Sequence, residues 1–169
     1  MSLNLFRYFY SRQGNQMRLY LVQHGEATSK DVNPDRPLTE KGRTDTRKTA
    51  AFLKKAGVSV NQIWHSTKTR AIETAHLLAD SLSVAKVKQK DGLAPNDPVA
   101  KVFSEIASID SGLMVVGHLP FLQNLASLAL TGSESSGIVK FKMGGCVSLE
   151  KGEDAKWVLV FAVIPDLLE

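Results

Sequence analysis

Four short apolar runs, at residues 18–22, 62–65, 85–90 and 113–117, alternate with stretches whose apolar residues recur at helical spacing. That alternation constrains the fold more than any other feature of the chain. A strand that passes through a helix before rejoining the same sheet pairs in parallel, with helices laid over both faces. The fold class expected is therefore an α/β three-layer sandwich around a mostly parallel central sheet. The first helix is predicted to take Thr39 as N-cap and Glu40 in its opening turn, and to end at Gly57 after Lys54 and Lys55, with Ala50, Ala51 and Leu53 on its buried side. The second covers residues 68–82 and buries Ala71, Ala75, Leu78 and Leu82; the third covers 97–108 and offers Val99, Val102, Phe103 and Ile106. Pro120 opens the fourth at its first helical position, and Gly132 follows its end. Residues 146–150 and 157–164, separated by a turn that starts Lys151-Gly152-Glu153-Asp154, read as a hairpin added to the sheet.

A chain of 169 residues can bury about two-thirds of its unfolded surface around one core, and no internal repeat or low-complexity linker divides it. Residues 17–169 are accordingly read as a single domain. Residues 1–16 stand apart as an N-terminal extension: aromatic-rich, carrying Arg7 and Arg12 but no acid, and lying before the strand pattern. Their apolar stretch is short and broken by Asn4 and Arg7, which argues against a signal peptide. No apolar run reaches the ~20 residues that cross a bilayer, so no membrane span is expected. The lone cysteine, Cys146, has no internal partner and sits in an apolar setting; it reads as a buried filler in a reducing, cytoplasmic compartment. The net charge of +4 arises from 21 basic residues scattered among 17 acidic ones. That pattern suits a small anionic group better than a nucleic acid, whose binders cluster Lys and Arg and interleave aromatics.

Ligands of open α/β sheets bind beyond the carboxyl ends of the strands, which makes the residues following each strand the candidate site. His24 follows the first run, Arg70 lies just beyond the second, and His118 follows Val115-Val116-Gly117. Each alone has an ordinary structural explanation. Together, and with both histidines beside a glycine that lets backbone N–H groups approach a ligand, they form a constellation. The segments LYLVQHGEA (19–27), DRPLTEKGR (35–43), HSTKTRAIETA (65–75), DGLAPNDPV (91–99) and VVGHLP (115–120) stand in the order of the motifs of the histidine phosphatase superfamily, which the chain resembles over residues 17–120. Its size and the Gly-Leu-Ala-Pro-Asn-Asp segment are most similar to the small SixA-type phosphohistidine phosphatases. The resemblance implies a phosphoglycerate mutase-like sandwich and a phosphatase in which His24 is the nucleophile and carries the phosphoryl group covalently. It further implies that Arg70 and His118 line the phosphate pocket, with Gln23 and the Gly25 backbone assisting. The chemistry is consistent: a neutral imidazole is a competent nucleophile near neutral pH, and phosphoryl transfer asks chiefly for positioning and neutralisation of charge. The implied reaction uses no metal and no other cofactor. The histidines His24, His65, His76 and His118 also lack the spacing of a metal-ligand cluster.

Two positions depart from the superfamily pattern. Gln23 stands where the Arg-His-Gly motif carries arginine; it keeps amide donors but loses the charge and the rigid fork. Arg36 and Lys68 are the candidates to compensate, the alternative being that both are solvated surface charges. Pro95 stands where many members place a proton-donating glutamate. Asp97 and Glu26 are the candidate acids, although Asp97 reads first as the N-cap of the third helix. A phosphoramidate such as phosphohistidine leaves as an imidazole that can be protonated beforehand, so loss of the acid points toward a P–N substrate. Little sequence remains to roof the pocket, which favours a phosphorylated partner protein, for example an HPt-type domain, over a small phosphorylated substrate. Two alternatives stand beside this reading: a non-catalytic pseudophosphatase that recognises phosphate, supported by Gln23, and a broad small-molecule phosphomonoesterase.

Overall fold

The strand β1 (Arg18–Gln23) buries Leu19, Tyr20, Leu21 and Val22 completely. Successive side chains of a strand point to opposite faces, so four buried neighbours demand cover on both. The computed structural model, which describes residues 17–169, supplies it; the extension expected at residues 1–16 lies outside the described residues. Leu19 and Leu21 share one core with Val99, Val102 and Ile106 of α3 (Val99–Ala107) and with Phe121, Leu122 and Leu125 of α4 (Phe121–Thr131). Tyr20 and Val22 turn to the other core, formed with Ala50 and Leu53 of α1 (Glu40–Lys55) and Ala71, Ala75 and Leu78 of α2 (Thr69–Leu82). Two helices therefore cover each face of one sheet.

The remaining strands are β2 (Gln62–His65), β3 (Val87–Gln89), β4 (Leu113–Gly117), β5 (Cys146–Lys151) and β6 (Trp157–Val163), and their order across the sheet is β3-β2-β4-β1-β5-β6. The strands β1 to β4 run parallel, while β5 pairs antiparallel with β1 and with β6. The parallel part carries its carboxyl ends at one edge of the molecule, and the chain crosses that edge after every strand. Cys146 is fully buried at the start of β5, and burial pushes its thiol pKa well up. Among the described residues no helix is long and apolar enough to cross a membrane.

The loop after β1 is fixed by the start of α1. Thr39 is the N-cap, its hydroxyl accepting the Gly42 N–H at 3.0 Å, and its own N–H donates to the Glu26 carbonyl at 2.9 Å. A cap of this kind contributes about 1 kcal/mol. Gly42 sits so close to this loop that a Cβ would stand 2.1 Å from the Glu26 carbonyl oxygen.

The structure corrects the sequence reading at several boundaries. Ala51 faces solvent, while Ala50 and Leu53 carry the buried stripe of α1. The strand expected at residues 85–90 is reduced to Val87–Gln89. Pro120 occupies the N-cap position of α4, one residue earlier than expected. Asp97 is not the cap of α3. Pro98 takes that position, and the Asp97 carboxylate reaches back instead, accepting the Ala94 N–H at 2.8 Å while its own N–H donates to the Ala94 carbonyl.

Candidate active site

The backbone ladder between β1 and β4 runs one bond past the strands, from the His24 N–H to the Gly117 carbonyl at 3.1 Å. It places His24 and His118 at neighbouring strand ends, with ring centroids 5.0 Å apart and planes inclined by 55°. His24 Nδ1 lies 2.7 Å from the Gly25 carbonyl oxygen. A carbonyl only accepts, so Nδ1 carries the proton and Nε2 keeps its lone pair. Into that lone pair Arg70 donates its Nε–H, at 3.1 Å. Burial first, and then the positive charges of Arg70 and Arg36, bring the His24 pKa down to about 4, against the opposing pull of the Gly25 bond.

His118 is only 2% exposed. Its Nε2 lies 2.5 Å from the Ser66 hydroxyl, and its Nδ1 is buried without a protein partner. Burial is the main cause of its lowered pKa of about 3, reinforced by His24, Arg70, Lys68 and Arg36. Near neutral pH the centre thus consists of two neutral imidazoles, one of them in contact with Arg70, under the added charge of Arg36. Arg70 is itself pushed below the usual arginine value by burial and by Arg36. These charges repel one another, and an anion set among them relieves that repulsion.

Arg36 adds a second guanidinium charge that is felt at this centre. Its backbone is left-handed, with φ of 51°, an uncommon conformation for a non-glycine residue. Its N–H donates to the Asn33 carbonyl at 3.0 Å and its Nε–H to the Thr28 carbonyl at 3.2 Å. The charge reaches His24, Arg70 and His118 alike. Lys68, by contrast, is exposed at the N-cap of α2, and its charge helps to lower the His118 pKa. Gln23 is half-buried, with its Oε1 enclosed and unpartnered.

Three candidates from the sequence lie differently from the expectation. The Gly25 N–H is engaged by the Thr74 hydroxyl at 3.0 Å, so it ties the loop to α2 and is not a free donor for a ligand. A Cβ on Gly25 would stand 2.8 Å from both the Gly42 carbonyl oxygen and the Thr46 hydroxyl, which accounts for glycine there. Glu26 accepts from the Thr39 hydroxyl at 2.8 Å, and its charge is felt by Lys41. Asp97 is turned to Ala94. Neither carboxylate is among the charges that act on the two histidines.

Sequence reasoning passed over Ser66, Thr74 and Glu73. Ser66 follows β2 as a polar residue after a buried run, the same signal that drew attention to His24. Thr74 lies one helical turn beyond Arg70, and its hydroxyl, besides accepting from Gly25, donates to the Arg70 carbonyl at 2.7 Å. Glu73 accepts the Leu38 N–H at 2.8 Å and both oxygens lie 3.0 Å from Arg43 Nη2, which binds the loop carrying Arg36 to α1 and α2. Among the described residues no cluster of three or more His, Cys, Asp or Glu is placed to hold a metal ion.

The family model of the histidine phosphatase superfamily, branch 1, matches residues 19–98. An uncharacterized protein of Picosynechococcus sp. is 31% identical over 143 residues, a span covering 80% of this chain and 86% of that protein. Among solved structures, the protein histidine phosphatase SixA complexed with tungstate matches with a TM-score of 0.81 at 22% identity, covering 90% of this chain and 100% of the other. A structure assigned as the phosphohistidine phosphatase SixA of Agrobacterium tumefaciens gives 0.74 at 21% identity, over 88% and 97% of the two chains. Phosphoserine phosphatase from Entamoeba histolytica in complex with 3-phosphoglyceric acid gives 0.64 at 17% identity, over 86% and 96%. The shared fold is the phosphoglycerate mutase-like α/β sandwich. With the matched segment and the fold in agreement, the chain belongs to the histidine phosphatase superfamily.

Proposed function

We propose that the chain is a phosphatase that acts through a phosphohistidine intermediate on His24 and whose substrate is phosphohistidine on a partner protein. The observation that carries this reading is the state of His24: neutral, with Nδ1–H committed to the Gly25 carbonyl and the Nε2 lone pair beneath Arg70. Phosphoryl oxygens that take over the Arg70 donor release that lone pair for attack on phosphorus. The Nε2–P bond forms as the bond from phosphorus to the leaving nitrogen breaks, and the departing imidazole keeps a proton gained before or during the step. Water then cleaves phospho-His24 to inorganic phosphate, and the imidazole returns to its neutral form. Arg70 and Arg36 neutralise the equatorial oxygens, Arg36 standing in for the guanidinium that position 23 lacks. His118 lines the same pocket.

The choice of a P–N substrate is supported by the placement of the acids. Glu26 and Asp97 are both held by backbone or hydroxyl donors elsewhere, which leaves a poor setting for protonating an alkoxide. The SixA likeness agrees with a protein substrate. Gln23 favours one rival reading, a pocket that binds phosphorylated proteins without hydrolysing them. Phosphate release from a phosphorylated HPt-type domain, measured beside release from p-nitrophenyl phosphate, separates these readings. Turnover of the protein substrate with transient label on residue 24 is the expected result; binding without release from either substrate identifies a pseudophosphatase, and turnover of the aryl ester alone a broad phosphomonoesterase.

A further inference from the structure

Ser66 and His118 are each 2% exposed, so the polar atoms they turn toward each other must be matched inside the protein. The Ser66 oxygen lies 2.5 Å from His118 Nε2 and 3.4 Å from the Lys68 backbone nitrogen. Lys68 N–H can only donate, so the hydroxyl accepts there and its own proton needs another partner. Nε2 of a neutral imidazole meets that need when it carries the lone pair. The proton of His118 then resides on Nδ1, the ring atom that is buried without a protein partner and belongs to the ring facing His24. The opposite tautomer would make Nε2–H a donor to Ser66. The hydroxyl would then accept twice while its proton had no acceptor among these contacts, and a bare Nδ1 lone pair would face the place of an anion.

We propose that Ser66 is a positioning residue: its hydroxyl donates to Nε2 of His118 and so fixes the tautomer whose Nδ1–H can donate to a phosphoryl oxygen. The identity of that acceptor rests on the phosphatase reading above; the tautomer itself does not. The role assigned to His118 is then that of a neutral hydrogen-bond donor, which keeps its proton throughout the reaction. Ser66 touches neither the phosphoryl group nor the nucleophile, and acts through the ring it holds.

Long-range nitrogen–proton correlation spectra of the histidine-labelled protein test this directly, because the two ring nitrogens of a neutral imidazole resonate far apart according to which is protonated. His118 of the wild type is expected as the Nδ1–H form. Ser66→Ala is expected to convert it to a mixture and to weaken binding of inorganic phosphate by about 10-fold, the size of one lost donor orientation in a buried site. Ser66→Thr, which keeps the hydroxyl, is expected to restore both. An Nε2–H form in the wild type, or an unchanged tautomer and affinity in Ser66→Ala, overturns the proposal. Failure of the wild type to bind phosphate counts against the phosphatase reading, and the spectrum of the wild type still decides the role of Ser66.

Discussion

The two ends of the central sheet carry opposite kinds of space. At the amino ends of the parallel strands a groove of about 610 Å³ is lined by Phe103, Leu128, Trp157 and Val158. The helices α3 and α4 finish there, at Ala107 and Thr131, and present carbonyl oxygens; Lys151 Nζ already satisfies the Ala107 carbonyl at 2.9 Å. At the carboxyl ends α2 and α4 begin, at Thr69 and Phe121, beside His24, His118, Arg36 and Arg70. Helix starts favour anions and helix ends repel them, so the carboxyl ends of this sheet favour negative charge and the amino ends do not. What distinguishes the carboxyl end is a set of polar atoms whose hydrogen-bonding needs the protein leaves partly unmet, Nδ1 of His118 foremost.

The strongest challenge to this contrast is His24→Ala. With no imidazole to receive the phosphoryl group, phosphate release is expected to fall by about 1,000-fold or more, whereas Val158→Lys in the groove is expected to leave the rate within about twofold. A groove variant that lost activity as severely while keeping its fold would break the contrast. Arg70→Ala is expected to follow, at about 100-fold in kcat/KM, because the site loses a charged donor aimed where negative charge gathers. Arg70→Lys should recover only part of that loss, since a point charge lacks the fork; full recovery would show that geometry at this position is unimportant.

A smaller effect concerns pH. The pKa values of His24 and His118 lie at about 4 and about 3, below the ordinary value of 6.5. Folded, both imidazoles therefore resist protonation between about pH 6.5 and 4, while in the unfolded chain they accept protons readily. The unfolded state gains protons in that window, so their contribution to stability is complete above it and is lost as the pH falls through it. Urea-unfolding midpoints are expected to drop from pH 7 to pH 4.5, and to drop less in His118→Ala. Ring resonances of both histidines should still report neutral imidazole at pH 5. Titration of either ring near 6.5 would show that the carboxyl end is wetter and less cationic than its packing indicates.

Much of this end of the molecule was legible in the sequence, for a reason that the strand β1 makes plain. Apolar residues on both faces required helices on both faces, and polar residues interrupting such a strand could lie only at its end. His24 and His118 were found by that rule, and Ser66 follows it equally well. The conformation of Arg36 was not legible. Nothing in Asn33-Pro34-Asp35-Arg36 states that an arginine will adopt φ of 51° or that its Nε–H will seek the Thr28 carbonyl, because both depend on how the loop closes against α1 and α2 through Glu73. The same limit applies to Asp97, whose carboxylate had two backbone targets of similar merit, one on either side. Local pattern offered the helix start, and the tight turn at Ala94 took the carboxylate instead.

The gentlest test reaches the position where the chain departs from its family. Gln23 contributes a neutral amide, half-buried, with one enclosed and unpartnered oxygen, next to a centre already occupied by Arg36 and Arg70. A guanidinium in its place adds a charge-assisted donor, stronger than a neutral one by about 1 kcal/mol or somewhat more, which corresponds to about 10-fold in affinity. It also adds a third cation to a site whose cations already lower the Arg70 pKa, and that repulsion is relieved only once an anion is bound. Both effects have the same sign for the bound state relative to the free one. Gln23→Arg is therefore expected to tighten inorganic phosphate or vanadate by about 3- to 10-fold and to lower the unfolding midpoint of the ligand-free protein slightly. Calorimetric titration gives the first quantity and urea denaturation the second. Unchanged or weaker affinity would mean that the amide at position 23 meets some other part of the substrate, and that Arg36 alone completes the charge the phosphoryl group requires.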